Sequence, residues 1–401
     1  MLCSADSPPR MLTLVMLTAL SVLSLNMFLP SLSNMAEDFQ ADYALVTLSI
    51  AGYLGITAAL MLIMGPLSDR FGRRPVLLAA LAIFTFASSV CALTADIWVF
   101  LAFRVLQGAV IAGWGLSLAV IRDTAPPREA ASRIGYVTMA MAVAPALGPM
   151  FGGALDELFG WRASFVAFTG FGAAALALCW VDLGETNKSP SETFAKQFHS
   201  YPELIRSRRY WGYALCMAFS TGAFYAFLAG APLVAVSMLG LSPAALGFYM
   251  GTITAGFMLG SFLSGRFAKR YTLTTMMLSG RLVACLGLVV GLALFLAGLV
   301  HVISLFGACV FVGLGNGLTM PSCNAGALSV RPELVGSASG LAGALTVGGG
   351  AILTSITGAI VTEKTGHYAL LGMMLSVSLM ALIAALAVLR IDRRERMTSP
   401  A

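Results

Sequence analysis

Charge is what this sequence has least of. Only 10% of its 401 residues are charged, against 58% hydrophobic, and the mean hydropathy is +0.88. A water-soluble domain carries about 25% charged residues, so most of this chain's surface has to face lipid. Acidic residues are absent from the apolar runs: all 18 Asp and Glu fall in loops or at run ends. Histidine is scarce and dispersed, with His199, His301 and His367 far apart. The seven cysteines are scattered, mostly within apolar runs and without a Cys-x-x-Cys pair, which argues against a disulfide framework or a metal cluster. No phosphate-binding Gly-x-x-x-x-Gly-Lys-Ser/Thr segment occurs, which argues against ATP-driven transport by this chain. No His, Asp, Glu or Cys cluster gathers near one face, as an integral-membrane enzyme needs, and the chain is expected not to be an enzyme. The pI near 9.0 does not point to nucleic acid. Its basic residues sit in short clusters between apolar runs, not on one face.

What is abundant is apolar length. A helix needs about 20 apolar residues to cross the hydrocarbon. That length predicts spans at 11–33, 43–64, 76–95, 98–121, 134–155, 162–183, 211–237, 244–264, 275–298, 302–325, 336–360 and 369–390. The first run is longer than the core of a signal peptide and no small-x-small cleavage site follows it, so it is read as a span. The longest polar stretch, 184–210, divides the chain. The expected organisation is an N-terminal six-helix bundle (1–183), a cytoplasmic linker (184–210) and a C-terminal six-helix bundle with a short tail (211–401). With the N-terminus in the cytoplasm, most of the 24 basic residues fall on the inside, including Arg70, Arg73, Arg74, Arg122, Arg128, Arg133 and the linker cluster. The positive-inside rule then places both termini in the cytoplasm.

The two halves share a segment. Residues 67–74 read LSDRFGRR and residues 263–270 read LSGRFAKR, each after the second span of its half. Leu67, Ser68, Arg70, Phe71 and Arg74 recur as Leu263, Ser264, Arg266, Phe267 and Arg270. Self-similarity of this kind marks repeated units. Two parallel six-span repeats are the architecture of a rocking transporter with its site at the repeat interface.

Several motifs carry a resemblance. Gly65-Pro-Leu-Ser-Asp69-Arg70-Phe-Gly72-Arg73-Arg74-Pro75 resembles the signature loop between helices two and three of the major facilitator superfamily. Arg104-Val-Leu-Gln107-Gly108 resembles that superfamily's second motif, and Pro145-Ala-Leu-Gly148-Pro149-Met-Phe-Gly152-Gly153 the motif of its drug–proton antiporters. Leu29-Pro30, Tyr53 and Arg122-Asp123 make the chain most similar to the Bcr/CflA drug-resistance efflux group. The resemblance implies an all-α membrane protein of twelve transmembrane helices in two pseudo-symmetric six-helix bundles. It also implies multidrug efflux by alternating access with proton antiport, in a bacterial inner membrane. Export of one metabolite or siderophore, without proton coupling, is the alternative. The expected partners are a small-molecule substrate and the bilayer, with no nucleic acid. No cofactor is expected beyond a coupling proton, and the chain is expected to act as a monomer.

The residues themselves point to three sites. Asp69 near lipid needs a partner; the resemblance sets it against the start of the eleventh helix, near Gly336 and Ser337, while Arg73 is placed to pair with Asp123. Gly65, Asp69, Arg70, Gly72, Arg73 and Asp123 are thus the candidate conformational latch. In span five, Gly148 and Gly152 allow close backbone approach and Pro145 and Pro149 remove helix hydrogen bonds, as a tightly packed seal requires. Arg104 lies about six residues, roughly 9 Å, from the outer end of its span, at nearly the depth of Asn26, with Gln107 one turn on. Asn26, Arg104 and Gln107 are expected to form one polar cluster in the substrate cavity. Met27, Tyr53, Met139, Phe224, Tyr225 and Phe227 are expected to supply an adaptable apolar lining. The group's usual proton-carrying aspartate stands where this chain has Asn26, which does not titrate. Coupling through Asp69, Asp123 or another group is then expected, and the unpaired Arg104 favours anionic or zwitterionic substrates.

Overall fold

In the computed structural model, the described residues are 9–187, 201–267, 270–331, 335–362 and 365–398. Within them, the side chains of residues 65, 66 and 335–337, and of several between 127 and 142, lie outside the description. Helices account for almost all of it, and no strand occurs among the described residues. The elements are α1 (Met11–Asn26), α2 (Leu32–Asp38), α3 (Tyr43–Phe71), α4 (Arg73–Leu93), α5 (Ile97–Gln107), α6 (Ala112–Thr124), α7 (Pro127–Phe159), α8 (Arg162–Asp182), α9 (Tyr201–Arg206), α10 (Arg208–Ser237), α11 (Pro243–Phe267), α12 (Leu273–Leu296), α13 (Val302–Ser329), α14 (Val335–Ile360) and α15 (Gly366–Thr398). Eleven helical stretches among the described residues are long and apolar enough to cross a membrane. The remaining expected span, 134–155, lies in α7.

Two spans are interrupted near mid-length. α1 and α2 are joined by a 3₁₀ turn over Leu29–Ser31 with Pro30 at its start. Proline has no N–H to give the Asn26 carbonyl four residues back, so the α-helical ladder fails there. α5 and α6 are joined by a 3₁₀ turn over Gly108–Ile111. A Cβ on Gly108 would strike the Ile56 side chain, so α3 can press directly on this turn. A 3₁₀ stretch inside a long helix marks a hinge or a strained point. By contrast, α7 stays helical through Pro145 and Pro149.

The chain divides into two compact units, one comprising residues 1–196 and 242–248, the other 197–241 and 249–401. In the first, α4 packs along α8, and α1 along α7. Phe165 is the hub of its aromatic core, with ring centroids 5.7 Å from Phe28, 5.2 Å from Phe100, 5.8 Å from Trp161 and 5.7 Å from Phe168. In the second, α12 packs along α13, and α10 against α14 and α15. Large apolar side chains such as Phe86, Val166, Leu286, Ile303 and Ile383 are exposed, the distribution expected of a lipid-facing surface.

Each expected span falls on a helix or a pair of joined helices, but several helices run on past the apolar run, α3 to Phe71 and the last helix to Thr398. α7 runs on to Phe159, which takes Asp156 into a helix and not a loop. The stretch expected to be linker contains α9 and the start of α10, and residues 183–187 are held against the end of α3 by hydrogen bonds described below. Residues 188–200 of that linker lie outside the described residues.

Candidate substrate and conformational sites

Arg104 is fully buried, which excludes an arginine snorkelling to the outer headgroups. Its guanidinium carbon lies 4.3 Å from the Phe28 ring centroid, 4.8 Å from that of Tyr53 and 5.8 Å from that of Phe165. Three π faces supply attraction that a carboxylate otherwise would, strongest where water is excluded. Arg104 Nη1 donates to the Ser24 carbonyl at 3.3 Å and to Gln107 Oε1. Gln107 Nε2 in turn donates to Ser88 Oγ at 2.7 Å. Tyr53 OH shares a 2.6 Å hydrogen bond with Ser24 Oγ. Arg104 Nε and Nη2 have no partner.

This centre sits where both interrupted spans break. α5 ends at Gln107 and α1 at Asn26. Ser21 Oγ donates at 2.7 Å to the Val110 carbonyl, satisfying a backbone acceptor within the 3₁₀ turn. Of the three residues expected in one cluster, the structure brings Arg104 and Gln107 together. Asn26 is buried but folds back along its own helix, with Nδ2 donating to the Val22 carbonyl at 2.8 Å and Oδ1 unpartnered. Met27 is buried beside it. In the second unit, Phe224 and Tyr225 have centroids 6.0 Å apart. The Tyr225 ring lies against Gly350 of α14, where a Cβ would overlap it. Phe227 meets Phe306 edge-on at 6.1 Å. The side chain of Met139 lies outside the described residues.

The stretch 65–75 expected as a loop is helical except at Gly72, and this α3–α4 junction is organised by Arg73. Its Nη1 is 2.6 Å from Asp69 Oδ1 and its Nε 3.3 Å from Asp123 Oδ2, and it also donates to Ser68 Oγ. Arg70 lies over the Phe71 ring at 5.4 Å. Gly72 has φ +94, a conformation that disfavours any side chain, and a Cβ there would strike the Glu185 carboxylate. That carboxylate accepts from the Arg73 N–H at 2.9 Å and the Arg74 N–H at 3.2 Å. It thereby caps the start of α4, where the first amides lack helical partners. Asn187 Nδ2 donates to the Asp69 carbonyl at 2.7 Å, and Thr186 Oγ1 to Asp123 at 3.4 Å. Nothing in the motif pattern pointed to Glu185, Thr186 or Asn187. Gly65 lies within α3, and the side chains around it and around Gly336 and Ser337 are outside the described residues.

Gly148 and Gly152 face α1. A Cβ on Gly152 would overlap the Met27 carbonyl oxygen, and one on Gly148 would lie 3.2 Å from Leu23 Cδ2 and 3.4 Å from Asn26 Cβ. One turn beyond, Asp156 accepts from Asn34 Nδ2 at 2.8 Å. It is the one buried carboxylate among the described residues, in a cleft of about 550 Å³ with Glu37, Asp38, Trp161 and Arg162. Asp38 accepts from Trp161 Nε1 at 3.0 Å and pairs with Arg162.

The family model of the Major Facilitator Superfamily matches residues 14–355. The chain belongs to that superfamily. It is therefore a multi-pass membrane transporter and not an enzyme. The superfamily's relatives of this chain include multidrug resistance protein D of Escherichia coli K12, 27% identical over 90% of this chain and 91% of that protein. A bicyclomycin resistance protein homolog of Haemophilus influenzae is 26% identical over 86% and 87%. A solved bacterial homolog of the human lysosomal transporter Spinster superimposes with TM-score 0.78 over 98% of both chains, at 18% identity. That likeness shows the shared fold.

Proposed function

We propose that this transporter exports drug-like or other small organic molecules across a bacterial inner membrane by alternating access, with proton antiport as its energy source. The carrying observation is the Arg104–Gln107–Tyr53 centre, buried and ringed by aromatics at the junction of two interrupted helices. A buried charge held by π faces and neutral dipoles at a hinge is a binding element that can respond to helix movement. The names of the relatives support the substrate class, since they are resistance proteins for several drugs or for bicyclomycin.

In this reading Asn26, Met27, Tyr53, Arg104, Gln107, Phe224 and Tyr225 serve the substrate. Asp69, Arg73 and Asp123 form a cytoplasmic latch, and the glycines of α7 hold it against α1 as a seal. Both termini lie in the cytoplasm. The transporter acts as a monomer, without a cofactor and without nucleic-acid partners. Protons couple through carboxylates outside mid-span, Asp156 joining Asp69 and Asp123 as a candidate because it is withdrawn from water.

Expression in a host stripped of its own exporters tests the substrate class. Tolerance to several structurally unrelated amphiphiles should rise together. Protection against a single compound, with that compound accumulating in a deletion strain, would replace polyspecific efflux with dedicated metabolite export.

A further inference from the structure

The second unit contains its own buried arginine. Arg281 of α12 is fully buried in a run whose only charge it is. It is brought there by an unusually close helix crossing. Gly280 and Gly315 meet where α12 passes α13, each so near the other's carbonyl oxygen that a Cβ on either would overlap it. With the backbones this close, the next residue on α12 is driven into α13. Arg281 Nε donates to Thr319 Oγ1 at 2.9 Å and Nη2 to Asn316 Oδ1 at 2.7 Å. Asn316 Nδ2 donates onward to the Ser220 carbonyl of α10 at 3.1 Å. Nη1 has no partner, and no carboxylate pairs with Arg281 among the described residues. The ionisable neighbours described for it are the thiols of Cys216, Cys285 and Cys323, which are weak acceptors.

A buried arginine kept for structure alone is ordinarily paired with an acid, because an uncompensated charge in a membrane interior is costly. Here two neutral oxygens fix the guanidinium plane and leave its charge undischarged. The planar fork matches the paired oxygens of a carboxylate or a phosphate, and the carboxylate, with its single charge, is the less costly of the two to bring into an apolar interior. Pro321 stands two residues beyond Thr319 within α13 and withholds an N–H from the Gly317 carbonyl, giving that helix a place to bend and open the site.

We propose that Arg281, oriented by Asn316 and Thr319, is an anion-recognition centre of the second unit that takes the carboxylate of a small organic solute. The proposal rests on the export reading and adds a substrate preference to it. Its occupant is an acid or a zwitterion, where Arg104 has its charge already covered by rings.

The dyes rhodamine 110, a free carboxylate, and rhodamine 123, its methyl ester, test this directly. Affinity of the full-length purified protein for each is read by fluorescence polarisation near pH 7.5, and export of each in proteoliposomes. Wild type should prefer rhodamine 110 by about tenfold. Arg281→Gln should erase that preference. Asn316→Asp, which gives Arg281 an internal counter-ion and so favours folding, should erase it as well. A wild type without preference, or a ratio unmoved in a folded variant, overturns the proposal. An equal loss of both dyes in the variants also overturns it, assigning Arg281 to packing. Wild type that takes rhodamine 123 alone leaves the export reading standing without this site, whereas wild type that takes neither dye counts against both.

Discussion

At Arg104 the electrostatics of the first unit are decided by rings and not by acids. Phe28, Tyr53 and Phe165 surround the guanidinium, and Gln107 and the Ser24 carbonyl accept from it. Replacement by lysine keeps the charge and loses the planar fork and its stacking. Arg104→Lys and Arg104→Ala are therefore both expected to lower export more than about tenfold, a change of ~1.4 kcal/mol or more, as measured by initial rates in vesicles. Only the alanine variant should also lower the melting temperature in detergent, by leaving Gln107 Oε1 without its donor at about 1–3 kcal/mol. Gly152 makes a second residue-scale test. Its approach to the Met27 carbonyl leaves no room for a methyl group, so Gly152→Ala should destabilise the protein by about 1–3 kcal/mol, read as a fall in melting temperature. Arg104 was visible in the sequence because a known motif framed it. Arg281 is just as isolated in its apolar run, yet it has no motif around it and only the packing of α12 on α13 shows what it touches. Counting residues from the span end gives Asn26 a depth like that of Arg104, but depth says nothing of rotation. Its side chain turns to Val22 on its own helix and does not join Arg104.

Among the elements, the two interruptions and the α3–α4 junction carry the mechanical argument. Pro30 breaks the first span beside the Arg104 centre. Pro30→Ala should let α1 continue into α2, leaving the protein as stable or more so while export falls several-fold. Unchanged export would remove the hinge from the account. At the α3–α4 junction, Arg73 joins the end of α3 to the end of α6 through Asp69 and Asp123. Arg73→Ala is expected to abolish export with membrane insertion intact, whereas Glu185→Gln, which weakens the cap on α4 and the bond from the Asn187 N–H, should cost about 0.5–2 kcal/mol of stability and leave export measurable. Chemical denaturation and vesicle uptake on the same preparations separate these. Helix ends were legible because an apolar run of membrane length has few places to stop. The 3₁₀ turns were not, since Leu29-Pro30 and Gly108 sit inside unbroken hydropathy. Residues 185–187 read as linker because their polarity is the same whether they meet water or cap a neighbouring helix.

For the whole molecule, the sequence repeat after the second and eighth spans and the family match describe the same transporter fold. In both copies the shared serine, Ser68 and Ser264, is buried near a helix end. The buried charges of this chain's described residues are mostly cationic. Its two buried guanidinium groups, Arg104 and Arg281, have no acidic partner among the described residues, and its one buried carboxylate there, Asp156, sits at the end of α7. The proton coupling proposed above then falls to groups near the ends of spans, as Asp156 is in α7. The most direct test is uptake of a fluorescent amphiphile into inside-out vesicles, with the lumen acidified and then with the gradient collapsed by a protonophore. The account predicts uptake that rises with the imposed pH difference and falls to the empty-vesicle rate when it is collapsed. Uptake of equal rate with and without the gradient would contradict it.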